Sequence, residues 1–90
     1  MTNWAYAMKE LGLTDNQAHV LSCFNKDELL SDKTLAYVYR AQEMLHKWKP
    51  QSDSGIRSRR SELVKLGLLV DSGESVRSDS GRHMVLWELH

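Results

Sequence analysis

The stretch that most limits the fold is residues 52–70, SDSGIRSRRSELVKLGLLV, where a helical segment closes on Gly67 and passes at once into Leu68-Leu69-Val70. Glycine is the residue that most readily adopts the left-handed turn ending a helix. An apolar run straight after it starts a strand. A chain carrying this junction combines helices with a sheet and lets the sheet begin where a helix stops. With Ile56 at zero on a helical wheel and about 100° per residue, Leu63 falls near −20° and Leu66 near −80°, which marks the core side. Ser54, Ser58, Ser61 and Lys65 fall between about 140° and 200°, opposite the core, and Arg57 (about 100°) and Glu62 (about 240°) flank them. Arg59 and Arg60 sit at the core edge, where long stems lie on apolar surface and the charged heads reach outward.

Upstream, the pattern is helical. Trp4, Met8 and Leu11 are spaced i, i+4, i+7, which predicts a short helix over residues 1–12 that ends at Gly12. Thr14-Asp15-Asn16-Gln17 is a capping box, in which threonine and glutamine each satisfy an amide at the helix start. The helix it opens places Ala18, Leu21 and Phe24 on one face, with Val20 and Cys23 beside them. Asn25 to Leu30 is a polar connection, and Ser31-Asp32 caps a third helix running to about Lys47. That helix shows two stripes, Leu35-Val38-Gln42-Leu45 and Tyr37-Met44-Trp48, as expected of a helix packed on more than one side. Pro50, the only proline, stops it. The fourth helix spans residues 53–66 and a hairpin follows over 68–89. Asp71-Ser72-Gly73 and Asp79-Ser80-Gly81 are turn or bulge signals. In the last strand Val85, Trp87 and Leu89 alternate with Met84, Leu86 and Glu88, so the odd positions are expected to be buried.

Ninety residues make one domain, predicted to be α+β and mainly α. Net charge is zero, with 12 basic and 12 acidic side chains, which argues against a general nucleic-acid sponge. Residues 1–45 carry −2 and residues 46–90 carry +2. The sharper feature is local: Lys47, Lys49, Arg57, Arg59, Arg60 and Lys65, with only Asp53 and Glu62 among them. Exposed charges are screened beyond about 8 Å at physiological salt, so a local patch binds phosphate whatever the total charge. One cysteine, Cys23, leaves no internal disulfide and fits a reducing cytoplasm; its helical position marks a buried structural thiol. No apolar run approaches a membrane span and no signal peptide is visible.

The outer face of the 53–66 helix therefore carries small hydroxyls ringed by cations. Small side chains let a helix approach a major groove closely, serines donate to phosphates or base edges, and arginine bonds guanine bidentately. The helix start adds free amides for a phosphate. Such faces are most often merely solvated. Here, however, the cluster opens a helix, follows another helix through a short turn, and precedes a hairpin bearing Arg77, Arg82 and His83 near its tip.

Ser52-x-Ser-Gly-Ile-Arg-Ser-Arg-Arg-Ser-Glu-Leu-Val-Lys-Leu-Gly-Leu-Leu69 resembles the recognition helix of winged helix-turn-helix proteins, above all the small ones of tailed phages of actinobacteria. Asp71-Ser72-Gly73 and Ser80-Gly81-Arg82, leading to Val85 and Trp87, resemble that group too. The resemblance covers residues 14 to 89. It implies a winged helix-turn-helix with an extra N-terminal helix and a C-terminal wing, binding double-stranded DNA to regulate phage genes in the host cytoplasm. Carried over by position, Arg57, Ser58, Ser61 and Lys65 face DNA, Ser54 lies at the helix start and Arg82 at the wing, and Arg59, Arg60 and Arg77 complete the expected DNA-binding set. Many winged helices carry an apolar residue where Arg60 stands, which also allows Arg60 a structural role on a carboxylate or phosphate.

Other chemistry finds little support. His19, His46, His83 and His90 share no ligand spacing, and one cysteine completes no zinc site. No nucleophile elbow, dinucleotide motif or phosphate loop is present. No enzyme activity, cofactor, metal, small-molecule substrate or membrane partner is expected. Trp4 and Tyr6 leave two options for the N-terminal helix, packing on the same domain or a homodimer contact that would space two recognition helices. The competing functional class is a winged-helix adaptor that binds a host or phage protein instead of DNA.

Overall fold

The computed structural model describes residues 10–90. Three helices, α1 (Asp15–Ser22), α2 (Asp32–His46) and α3 (Asp53–Lys65), precede the strands β1 (Leu69–Arg77) and β2 (His83–Leu89), which form an antiparallel two-stranded sheet. The helix expected over residues 1–12, with Trp4 and Tyr6, lies outside the described residues apart from its end, where Gly12 takes the left-handed φ of 75°.

Each helix opens on a hydroxyl N-cap followed by an aspartate. Thr14 Oγ1 accepts from the Gln17 amide at 3.2 Å while Gln17 Oε1 accepts from the Thr14 amide at 3.0 Å. Ser31 Oγ accepts from the Thr34 amide at 3.1 Å, and Ser52 Oγ from the Gly55 amide at 3.0 Å. Each cap contributes about 1 kcal/mol, and Asp15, Asp32 and Asp53 add their charge at the positive end of the helix dipole. At the other end of α3, Gly67 (φ 79°) lets the Leu68 amide bond the Leu63 carbonyl at 3.0 Å, turning the chain directly into β1.

The core is one cluster: Val20, Leu21, Cys23 and Phe24 from α1 and its end, Leu30 from the connection before α2, Leu35 and Tyr39 from α2, Ile56 and Leu63 from α3, and Leu69. Burial pushes the Cys23 thiol up to about 12, so it is a packed, unreactive side chain. The two-faced packing expected of α2 is only half realised. Leu35 and Tyr39 are buried, but Tyr37, Met44 and Leu45 are exposed. Trp48 leaves the stripe altogether, because α2 ends at His46 and Lys47 turns left-handed (φ 55°), three residues before Pro50. Leu66 is exposed rather than core because it is the C-cap, beyond the last regular turn.

The segment from Lys47 to Ser52 is the turn of a helix-turn-helix, and buried polar groups fix it. Tyr39 Oη donates to the Lys49 carbonyl at 3.0 Å and accepts from Gln51 Nε2 at 2.8 Å. Gln51 Nε2 also reaches the Asn16 carbonyl of α1 at 3.4 Å, and Arg40 pairs with Asp53. Trp48 folds back to stack on His19 of α1, with centroids 4.4 Å apart and planes 7° from parallel.

The polar connection before α2 ends in a short strand substitute. Leu30 and Trp87 exchange two backbone bonds, at 2.9 and 2.8 Å. The first glycine signal of the hairpin is a bulge: Asp71 pairs with Trp87 and Ser75 with Val85, so β1 carries extra residues around Gly73 (φ 84°). The second is the turn, closed by Ser78 and Arg82 at 2.8 Å. Val85 is exposed, contrary to the alternation in its strand, because beyond the bulge the hairpin has left the core. Three helices, a tight turn between the last two and a C-terminal hairpin make a mainly helical winged helix-turn-helix.

Candidate nucleic-acid interface

The three arginines of α3 stand in different surroundings. Arg59 donates from Nε to Glu62 Oε1 at 2.8 Å and from Nη2 to Glu62 Oε2 at 3.0 Å. Glu62 Oε1 also accepts from Gln17 Nε2 of α1 at 3.0 Å. Arg59, and after it the Gln17 amide, hold the Glu62 carboxyl below its usual range. Arg60 makes a second two-pronged pair, Nε to Asp32 Oδ1 at 2.9 Å and Nη2 to Asp32 Oδ2 at 2.8 Å, and its guanidinium carbon lies 4.0 Å from the ring centre of Trp87. Among the described residues, Arg57 has no carboxylate partner.

Arg57 instead lines an open groove of about 430 Å³ with Lys33 and Tyr37 of α2, Asp53, and Met84 of β2. The groove thus joins α2, α3 and the wing. Sequence reasoning missed Lys33, Tyr37 and Met84 as neighbours of Arg57, since they come from elements whose mutual placement no local pattern reveals. On the outer face of α3, Ser54, Ser58 and Lys65 are exposed and Ser61 is half-buried. Ser54 Oγ lies 3.2 Å from the capping Ser52 Oγ. Ile56 and Leu63 are fully buried beneath them, so the wheel orientation of the helix holds. Arg77 is exposed at the end of β1 and Arg82 in the turn that follows. Neither lines the groove.

Electrostatically, the face is weaker than its arginine count. Two of three guanidinium groups are already paired with carboxylates, leaving Arg57 and Lys65 on α3, Lys33 across the groove from Arg57, and Arg77 and Arg82 on the wing. Among the described residues no group of three or more histidine, cysteine or acidic side chains is arranged to hold a metal, and no helix is long and apolar enough to cross a membrane.

No protein-family model matches the chain, and no curated protein is similar to it. Among solved structures, a protein of Methanosarcina mazei Go1 described as a possible transcriptional regulator is similar, with a TM-score of 0.67 over 93% of this chain and 14% sequence identity. This chain spans 62% of that protein's length. The likeness is one of fold.

Proposed function

We propose that this chain is a double-stranded DNA-binding regulator of the small tailed-phage type its sequence resembles, folding as one domain and acting in the host cytoplasm. In this reading α3 enters the major groove, Arg57 reads a base edge, Ser54, Ser58, Ser61 and Lys65 contact the groove and its phosphates, and Arg77 and Arg82 of the wing hold the flanking backbone. The observation that carries it is the unpaired state of Arg57, exposed among small hydroxyls on a face whose other arginines are tied down. The similar fold of a protein described as a possible transcriptional regulator supports the class at a coarse level.

Fluorescence anisotropy with random and selected duplexes at two salt concentrations tests it. Binding should fall steeply with salt. Arg57→Ala should cost about 1–3 kcal/mol and relax specificity at one position, whereas Arg82→Ala should weaken all duplexes alike and lower the salt slope by about one. No binding to any duplex at low salt refutes the reading. The second reading, a protein-binding adaptor, is favoured by the exposed apolar side chains Tyr37, Met44 and Leu45 on α2. It predicts duplex binding that is absent while a protein partner is retained.

A further inference from the structure

Arg60 is the most tightly held cation of the described residues. Its side chain is 15% exposed and that of Asp32 28%. Two of its five N–H donors are committed to one carboxylate in the planar fork geometry that guanidinium and carboxylate share. Its face is covered by the indole of Trp87. Trp87 in turn is fixed to Leu30 by two backbone bonds and pairs with Asp71 across the hairpin. One guanidinium therefore touches the first turn of α2, the middle of α3 and the base of the wing. The N–H groups bonded to Asp32 could serve a phosphate only by leaving that carboxylate.

We infer that Arg60 is a positioning residue that clamps β2 and the start of α2 to α3, and so sets the angle between wing and reading helix from which both reach one duplex. Its consequence for binding rests on the DNA reading proposed above; the clamp itself does not. The two roles open to Arg60 differ in sign at Asp32. If Arg60 serves DNA, Asp32→Asn frees it and removes a negative charge beside the phosphates, so affinity rises and the salt slope steepens by about one. If Arg60 is a clamp, Asp32→Asn lets the wing drift, and specific binding falls about tenfold, the size of one lost contact.

The experiment measures affinity and salt slope for the selected duplex with wild type, Asp32→Asn and Arg60→Lys. Lysine keeps the charge but has neither the two-pronged fork nor the flat face that stacks on an indole. Loss of about tenfold in both variants supports the clamp, and tighter binding by Asp32→Asn or wild-type binding by Arg60→Lys overturns it. Should Asp32→Asn fail to fold, Arg60→Lys decides alone. Residual dipolar couplings of the free proteins give a readout independent of DNA. In the wild type α3 and β2 should share one alignment frame, and in Arg60→Lys they should part. A common frame in the variant overturns the clamp. If no duplex binds the wild type, the DNA reading fails while the couplings still judge the clamp.

Discussion

Tyr39→Phe is the most informative change to the scaffold, because it deletes one oxygen at the point where α1, α2 and the turn meet. Tyr39 is fully buried, and its hydroxyl donates to the Lys49 carbonyl and accepts from Gln51 Nε2. Phenylalanine keeps the packing and loses both bonds, each worth about 1 kcal/mol net. The Gln51 amide keeps only its 3.4 Å bond to Asn16, and Gln51 Oε1 is buried with no partner already. A poorly paired buried donor adds roughly 1 kcal/mol more, for a total of about 2–3 kcal/mol. For a domain of this size that lowers the melting temperature by roughly 10–20 °C. Urea unfolding followed by far-UV circular dichroism measures the free energy. The companion double variant Tyr39→Phe/Gln51→Leu removes the stranded side-chain amide and leaves only the backbone carbonyls of Lys49 and Asn16 without these donors, so it should be less destabilised than Tyr39→Phe alone. A Tyr39→Phe loss below about 0.5 kcal/mol, the range of an ordinary surface substitution, would show that the turn is held by something else. A double variant whose losses simply add would refute the coupling.

Two further outcomes follow from single positions. Burial lowers the His19 pKa below 6.5, Asp15 opposes that shift and His46 adds to it. The unfolded chain therefore takes up the proton first, and stability should fall as pH drops through 6.5 toward the lower folded value. His19→Gln should flatten that part of the curve measured by urea unfolding between pH 8 and 5, and an unchanged slope rejects the assignment. Gly67 stands at φ 79° in open space, so Gly67→Ala meets no clash but bears the left-handed strain. Its expected cost is about 1–2 kcal/mol in the same assay, and a neutral result means the junction relaxes.

What could be read from the sequence is what is local. The caps at Thr14 and Ser31, the glycine at 67 and the inward Ile56 and Leu63 are set by neighbours three or four residues away. The Arg59–Glu62 pair has an equally local i, i+3 spacing, yet sequence reasoning sets Arg59 among the DNA contacts and does not join the two. Arg60 and Asp32 lie 28 residues apart, and nothing in either neighbourhood announces the other. The same limit hid Lys33, Tyr37 and Met84 beside Arg57. The misplaced stripe on α2 has a different cause: periodicity carried on past His46, whereas the backbone turned at Lys47 and sent Trp48 to His19. Val85 went astray because alternation records which side of a strand a residue occupies, and not whether anything lies on that side.

The bulge at Asp71–Ser75 has a consequence for how such a protein can change. Past it, both backbone edges of the hairpin run to a five-residue tip, Ser78 to Arg82, closed on itself. The tip can therefore be lengthened like a telescoping arm while the core stays as it is. Only steps of two keep the pattern: two residues added to each strand extend the ladder with every side chain on its own face, while one residue per strand turns the tip over and a residue on one strand alone also breaks the register. Reach would thus be adjustable in increments of two cross-strand pairs, about 7 Å each, separately from whatever the helix reads.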